Sequence, residues 1–188
     1  MKFFIENIVA RSWGLMMSTS QTWEGIKAEN STKSALKSYY MPFVLLCVGV
    51  VLVFKMLYAD SKNIETGLVF AVVTALAYMG SFYLTRYFTT RFIRKNHPDK
   101  NNASVIEKIV AYSYAVVFVL KIVTTIIPSL FFLQILNIYT VYIVWEGCRI
   151  LFDLDEDERG KIMLIVGLSA MFVPALVSKI VQLMLPGF

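Results

Sequence analysis

The residue best placed for chemistry is Glu146, a carboxylate beside Gly147 in a long apolar stretch. An ionisable group inside a membrane segment is costly and by default marks a proton, cation or amine site. Its competing use is an ion pair with Arg149, three residues on and so on the same face of a helix. Gln134 and Asn137 lie upstream and complete a candidate ligand or ion set with Glu146 and Arg149. They also read as interhelical hydrogen-bonding groups, as do Thr74 and Ser81. Lys121 and Lys179 are candidates for holding a lipid headgroup phosphate, against simple snorkelling of their ammonium groups.

The run Asp153-x-Asp155-x-Asp157 sets alternate carboxylates as at the start of a calcium loop, which makes these three a weak metal candidate. The sixth position is Glu158 instead of Gly and the twelfth is Leu164 instead of Glu, so an EF-hand is excluded. The alternative is a solvated loop paired with the basic loop near residue 95. The single histidine, His97, sits in that basic loop beside Pro98. The patterns H-E-x-x-H, G-x-S-x-G and the Walker A loop are missing. The chain is therefore expected not to be an enzyme and to need no cofactor. Cys47 and Cys148 lie far apart in apolar stretches and read as small embedded hydrophobes.

These side chains must be positioned by membrane helices. Hydrophobic residues make up 57% of the 188 positions and charged residues 16%, against about 45–50% and about 25% in soluble domains. A small soluble core cannot bury that surplus, whereas lipid can solvate it. The net charge of +5 is read as an orientation signal, and no nucleic-acid partner is expected. Thr66–Thr85 is 20 residues without a charge, the length that crosses about 30 Å of hydrocarbon. Ile109–Trp145 is 37 residues with one charge, Lys121. That is too long for one crossing and predicts two helices with a turn near Thr124, Thr125 and Pro128. The fold class is thus all-α, an integral membrane bundle of five transmembrane helices over residues 41–185. Its spans are placed at about 41–58, 66–88, 106–123, 128–150 and 162–185. Pro174 is expected to kink the last.

Residues 1–40 form a cytoplasmic interfacial segment. In 1–17, Phe4, Ile8, Trp13 and Met16 recur at roughly helical spacing, which predicts an amphipathic helix rather than a cleaved leader. Ser18-Thr19-Ser20 breaks it. Ser18 with Gln21 suggests a capping box for a second helix over about 20–30, with Trp23 and Ile26 on one face. Ser31-Thr32 is a further break. Gly67, Gly80, Gly147 and Gly167 are expected at close helix contacts. With five spans, fourteen of the 18 Lys and Arg residues fall on the side of the N-terminus and four on the other. Positive residues mark the cytoplasm, so the N-terminus is expected inside and the C-terminus outside or lumenal.

The chain resembles the Yip1-domain family of polytopic membrane proteins. The segment Trp23-Glu24-Gly25-Ile26-Lys27-Ala28-Glu29 followed by Pro42 is similar to that family's lead-in. The hairpin carrying Pro128 and the run from Tyr139 and Tyr142 to Glu146-Gly147 follow in the same order. In the third span, Ala111-Tyr112-Ser113-Tyr114 departs from the pattern, with Ala115 and Val116 where a proline is often found. The resemblance implies a five-span architecture and a role in membrane organisation or trafficking through protein and lipid contacts. Partners at the cytoplasmic face are expected with it, a homo-oligomer stays open, and the short loops suggest a minimal member in a prokaryotic inner membrane. The rival reading is a small transporter or channel using Glu146.

Overall fold

Backbone polar groups in hydrocarbon must be satisfied within their own segment, so apolar runs of this length fold as helices. The computed structural model describes residues 2–29, 34–58, 64–152 and 154–184, and among the described residues it is helical without strands. The expected break at Ser31-Thr32, Lys62 in the first connection, Asp153 of the acidic run and the tail Pro186-Gly187-Phe188 lie outside the described residues. Five segments are long and apolar enough to cross a bilayer: Leu36–Leu57, Ile64–Asn96, Ala103–Ile126, Pro128–Phe152 and Glu156–Val181. The chain is an integral membrane protein.

Two helices precede the spans, α1 (Lys2–Met17) and α2 (Thr19–Ala28). The first span opens with a π-helical turn at Leu36–Tyr40 and continues as α3 (Met41–Tyr58). α4 (Ile64–Asn96) has 33 residues and measures about 50 Å, more than the hydrocarbon requires. Its end around Arg91–Asn96 therefore projects beyond the membrane, on the side that carries α1 and α2, here called proximal. The third span is two helices, α5 (Ala103–Ser113) and α6 (Ala115–Ile126), meeting at Tyr114 with φ −79° and ψ 0°. This break falls where the sequence departs from the family pattern, and it forms without a proline. After Ile127 the chain returns as a 3₁₀ helix, Pro128–Ile138, and then α7 (Tyr139–Phe152). α8 (Glu156–Met184) closes the bundle and contains Pro174.

The 3₁₀ stretch is two pieces joined by a kink at Leu130, whose φ of −85° and ψ of 20° are not helical. Beyond the kink the 3₁₀ repeat stacks residues three apart, which brings Gln134 under Asn137.

α4 packs against α3 and α8, α8 against α7, and α6 against α3 and the 3₁₀ segment. An aromatic cluster fills the centre: Tyr40, Phe43, Tyr78, Phe82, Tyr114 and Phe118 are all buried. The Tyr40 hydroxyl donates to the Tyr78 carbonyl at 2.6 Å. Tyr114 exchanges hydrogen bonds with Ser81 and, at 3.1 Å, with Thr85. The π turn and the broken third span thus meet, with Tyr40 edge-on to Tyr114 at 5.1 Å. Phe131, Ile135, Leu176 and Leu183 point outward, which gives the bundle its lipid-contacting surface. Gly67 and Gly167 sit at tight crossings, with an added Cβ 3.1 Å from the Leu52 carbonyl and 3.2 Å from Val141. Gly80 does not: its added Cβ would meet only Val177, at an ordinary 3.9 Å.

Two expectations for the lead-in are corrected. The inward face of α1 is Ile8, Ser12 and Leu15, while Trp13 is 60% exposed; the side chain of Phe4 falls outside the described ones. Bundle contacts, rather than apolar spacing alone, decide the rotation of the helix. The Ser18–Gln21 capping box does not form, because the Ser18 hydroxyl donates back to the Gly14 carbonyl at 3.3 Å. Ser18 is the single residue between α1 and α2, and the Gly14 carbonyl one turn back is within its reach.

Candidate functional site

The proximal end is built around Trp23. α2 carries it because Thr19, Trp23 and Ile26 fall on one face, and all three are buried. The indole Nε1–H donates to the Ile143 carbonyl of α7 at 3.0 Å. The ring packs against Gly147: a Cβ there would stand 2.7 Å from two indole carbons. Trp23 also meets Tyr112 edge-on at 5.9 Å. Glycine is required at 147 because only a missing side chain admits a fully buried indole at that distance.

Polar contacts complete the docking. Ser12 of α1 pairs with the Tyr39 hydroxyl at 2.8 Å. Arg11 donates to the Tyr112 hydroxyl at 2.6 Å and bridges to Glu29 at the end of α2. Partial burial opposes the charge on Arg11, yet the Tyr112 oxygen and the Glu29 carboxylate more than offset it, so its pKa lies above the ordinary arginine value. Lys108 of α5 donates to the carbonyls of Ile26 and Glu29 at 2.9 and 3.2 Å, which caps α2 with a cation. Glu107 accepts from Ser34 and from the Leu36 amide at 3.1 Å, and pairs with Arg86 at 3.3 Å. The Tyr139 hydroxyl donates to the Met16 carbonyl at 3.0 Å. α1 and α2 are therefore a hairpin fastened to α5, α7 and the start of the first span.

The sequence candidates separate into three places. Glu146 and Arg149 lie at this proximal end, paired at 2.7 Å, and Arg149 also donates to Ser20 of α2 at 3.1 Å. Gln134 and Asn137 lie more than two turns away, so the four do not form one cluster. Asp155 and Asp157 belong to no metal-holding group of three or more His, Cys, Asp or Glu among the described residues. Glu158 instead pairs with His97 and Lys161, each at 2.9 Å, which ties the loop before α5 to the start of α8. Cys47 and Cys148 are free and buried.

The third place is a cleft of about 260 Å³ at the distal end, lined by Thr74, Tyr78, Lys121, Gln134, Asn137 and Ser178 among others, beside the Pro174 kink. Asn137 Nδ2 donates to Gln134 Oε1 at 2.7 Å, and Gln134 Nε2 donates to Thr124 Oγ1 at 3.0 Å. Lys121 faces this cleft; Lys179 is exposed and not part of its lining. Sequence reasoning missed Glu107, Lys108 and Arg11 as anchors and counted the two basic ones only for charge balance. Glu107 had a signal of its own, since it is a carboxylate opening an apolar helix opposite a surplus of basic residues.

The family model of the Yip1 domain matches residues 13–178. No curated protein and no solved structure shows significant similarity to the chain. The match begins at Trp13 and takes in α2 with all five spans, so the docked hairpin lies largely within it.

Proposed function

Since the chain belongs to the Yip1-domain family, we propose that it is a non-enzymatic protein that organises the membrane, and the traffic it supports, through lipid and protein contacts. The observation that carries this reading is the fastened hairpin. α1 turns Ile8, Ser12 and Leu15 to the bundle and leaves Val9, Trp13 and Met17 exposed. Those three recur every four residues and form one apolar stripe. A helix pinned at the Tyr39–Tyr112 level with such a stripe lies shallowly in one leaflet, as interfacial helices do. With the N-terminus cytoplasmic, that leaflet is the inner one, and the basic residues beside it favour anionic lipid. In a prokaryote this is the inner membrane. Glu24, Lys27 and Arg149 offer a charged cytoplasmic surface for a protein partner.

Reconstitution into phosphatidylglycerol–phosphatidylethanolamine vesicles tests the proposal. Rising protein density should reduce vesicle diameter, and Val9→Glu with Trp13→Glu should remove the effect in folded protein. Unchanged vesicle shape at high density would refute it. Saturable ion or solute flux that is lost in Glu146→Gln would establish the transporter reading instead.

A further inference from the structure

The distal cleft lies at the opposite end from the hairpin, and its chemistry is different. Lys121 lines it, five residues before the end of α6 at Ile126. It takes part in none of the ion pairs among the described residues. Intramembrane cations are rare and are ordinarily paired, so Lys121 lacks the partner its position calls for.

Its polar neighbours do not supply that partner. The amides of Asn137 and Gln134 are held to one another and to Thr124, and Thr124 in turn donates to the Leu120 carbonyl at 2.8 Å. The ladder fixes the wall of the cleft and leaves Asn137 Oδ1 buried without a hydrogen-bond partner. A buried acceptor left unmade is costly. The hydroxyls of Tyr78 and Ser178, which also line the cleft, add donors. The site therefore has one net positive charge, several donors, and one acceptor waiting for a donor from the ligand.

We propose that this cleft binds an oxyanion that also carries a hydroxyl, with Lys121 holding the anionic oxygens and Asn137 Oδ1 accepting from the hydroxyl. The 3₁₀ geometry of Pro128–Ile138 makes the site, because its threefold repeat stacks Gln134 under Asn137 on the wall facing Lys121. Two sources fit this chemistry: the phosphodiester headgroup of a glycerol-type phospholipid in the adjoining leaflet, or a small soluble polyol phosphate.

The test uses the full-length protein in an uncharged maltoside detergent, with thermal unfolding as readout. The probes are dioctanoyl phosphatidylglycerol, dioctanoyl phosphatidic acid, dioctanoyl phosphatidylcholine and glycerol phosphate. A saturable rise in Tm with phosphatidylglycerol but not phosphatidylcholine is expected, as binding to the native state alone requires. A rise with the lipid and not with glycerol phosphate assigns the lipid source; a rise with both assigns the soluble one. Lys121→Met should weaken the apparent affinity by about tenfold or more, and raise the Tm of the ligand-free protein. Lys121→Arg should keep most of the binding, and Lys179→Met all of it. Asn137→Leu should erase the preference for phosphatidylglycerol over phosphatidic acid. The proposal is overturned if no anionic probe shifts the wild type, or if folded Lys121→Met binds as the wild type does.

Discussion

Replacing Gly147 by Ala sets two effects of known sign against each other. In a helix interior the change favours stability by about 1 kcal/mol through backbone entropy. Here the new Cβ would lie 2.7 Å from Cε2 and Cζ2 of Trp23 and 3.2 Å from Cη2. Reaching an ordinary contact requires the indole to retreat by several tenths of an ångström. Trp23 is fully buried and its Nε1–H is committed to the Ile143 carbonyl at 3.0 Å, so it has little room to move. Overpacking of this kind costs about 1–3 kcal/mol, and a weakened hydrogen bond adds up to about 1 kcal/mol. The net expectation is destabilisation of the docked hairpin by about 1–2 kcal/mol, a factor of roughly 5–30 in its open population. Trp23→Ala removes the clashing ring, at its own cost of about 3–5 kcal/mol. In that background Gly147→Ala should change sign and stabilise by several tenths to about 1 kcal/mol. Amide hydrogen exchange over residues 19–28, in all four members of the cycle, measures the open population directly. Equal effects of Gly147→Ala in the two backgrounds, or a stabilised single variant, would refute the packing of Trp23 on Gly147.

Three further outcomes are expected. Glu107→Ala strips the Leu36 amide and Arg86 of their common partner and should cost about 2 kcal/mol, read by unfolding in a mild detergent. Glu146→Gln should change stability by less than about 1 kcal/mol and leave vesicles as impermeable as before, because the partner Arg149 is largely exposed. Cys47 and Cys148 are 1% and 0% exposed, so a membrane-permeant maleimide should label neither until the protein is unfolded.

Much of the architecture was legible because lipid contact is a local property. A run such as Thr66–Thr85 must cross a membrane whatever surrounds it, and five such segments are what the fold contains. The same holds for the grouping of Trp23 with Ile26, which a single helical face imposes. What depends on neighbours was not legible. Nothing in Pro128–Ile138 announces a 3₁₀ helix; the hairpin with α6 and the Gln134–Thr124 bond accompany it. For Lys121, sequence gives its height along a helix near the headgroups, and only the packing of its neighbours gives the cleft it faces. Glu146 was grouped with Gln134 and Asn137 by their shared span, although nine residues and a change of helix type separate it from Asn137. Trp23 and Gly147 were each noticed, but only the packed structure makes them one contact.

The account turns on α1 lying in the leaflet while fastened to the bundle. Trp13→Cys labelled with a nitrobenzoxadiazole probe tests this most directly, since the two native cysteines are buried. In phosphatidylglycerol-containing vesicles, the account predicts blue-shifted emission quenched by shallow lipid-borne nitroxides and protected from aqueous iodide. Emission at the wavelength of the water-exposed dye, with full quenching by iodide, would contradict it.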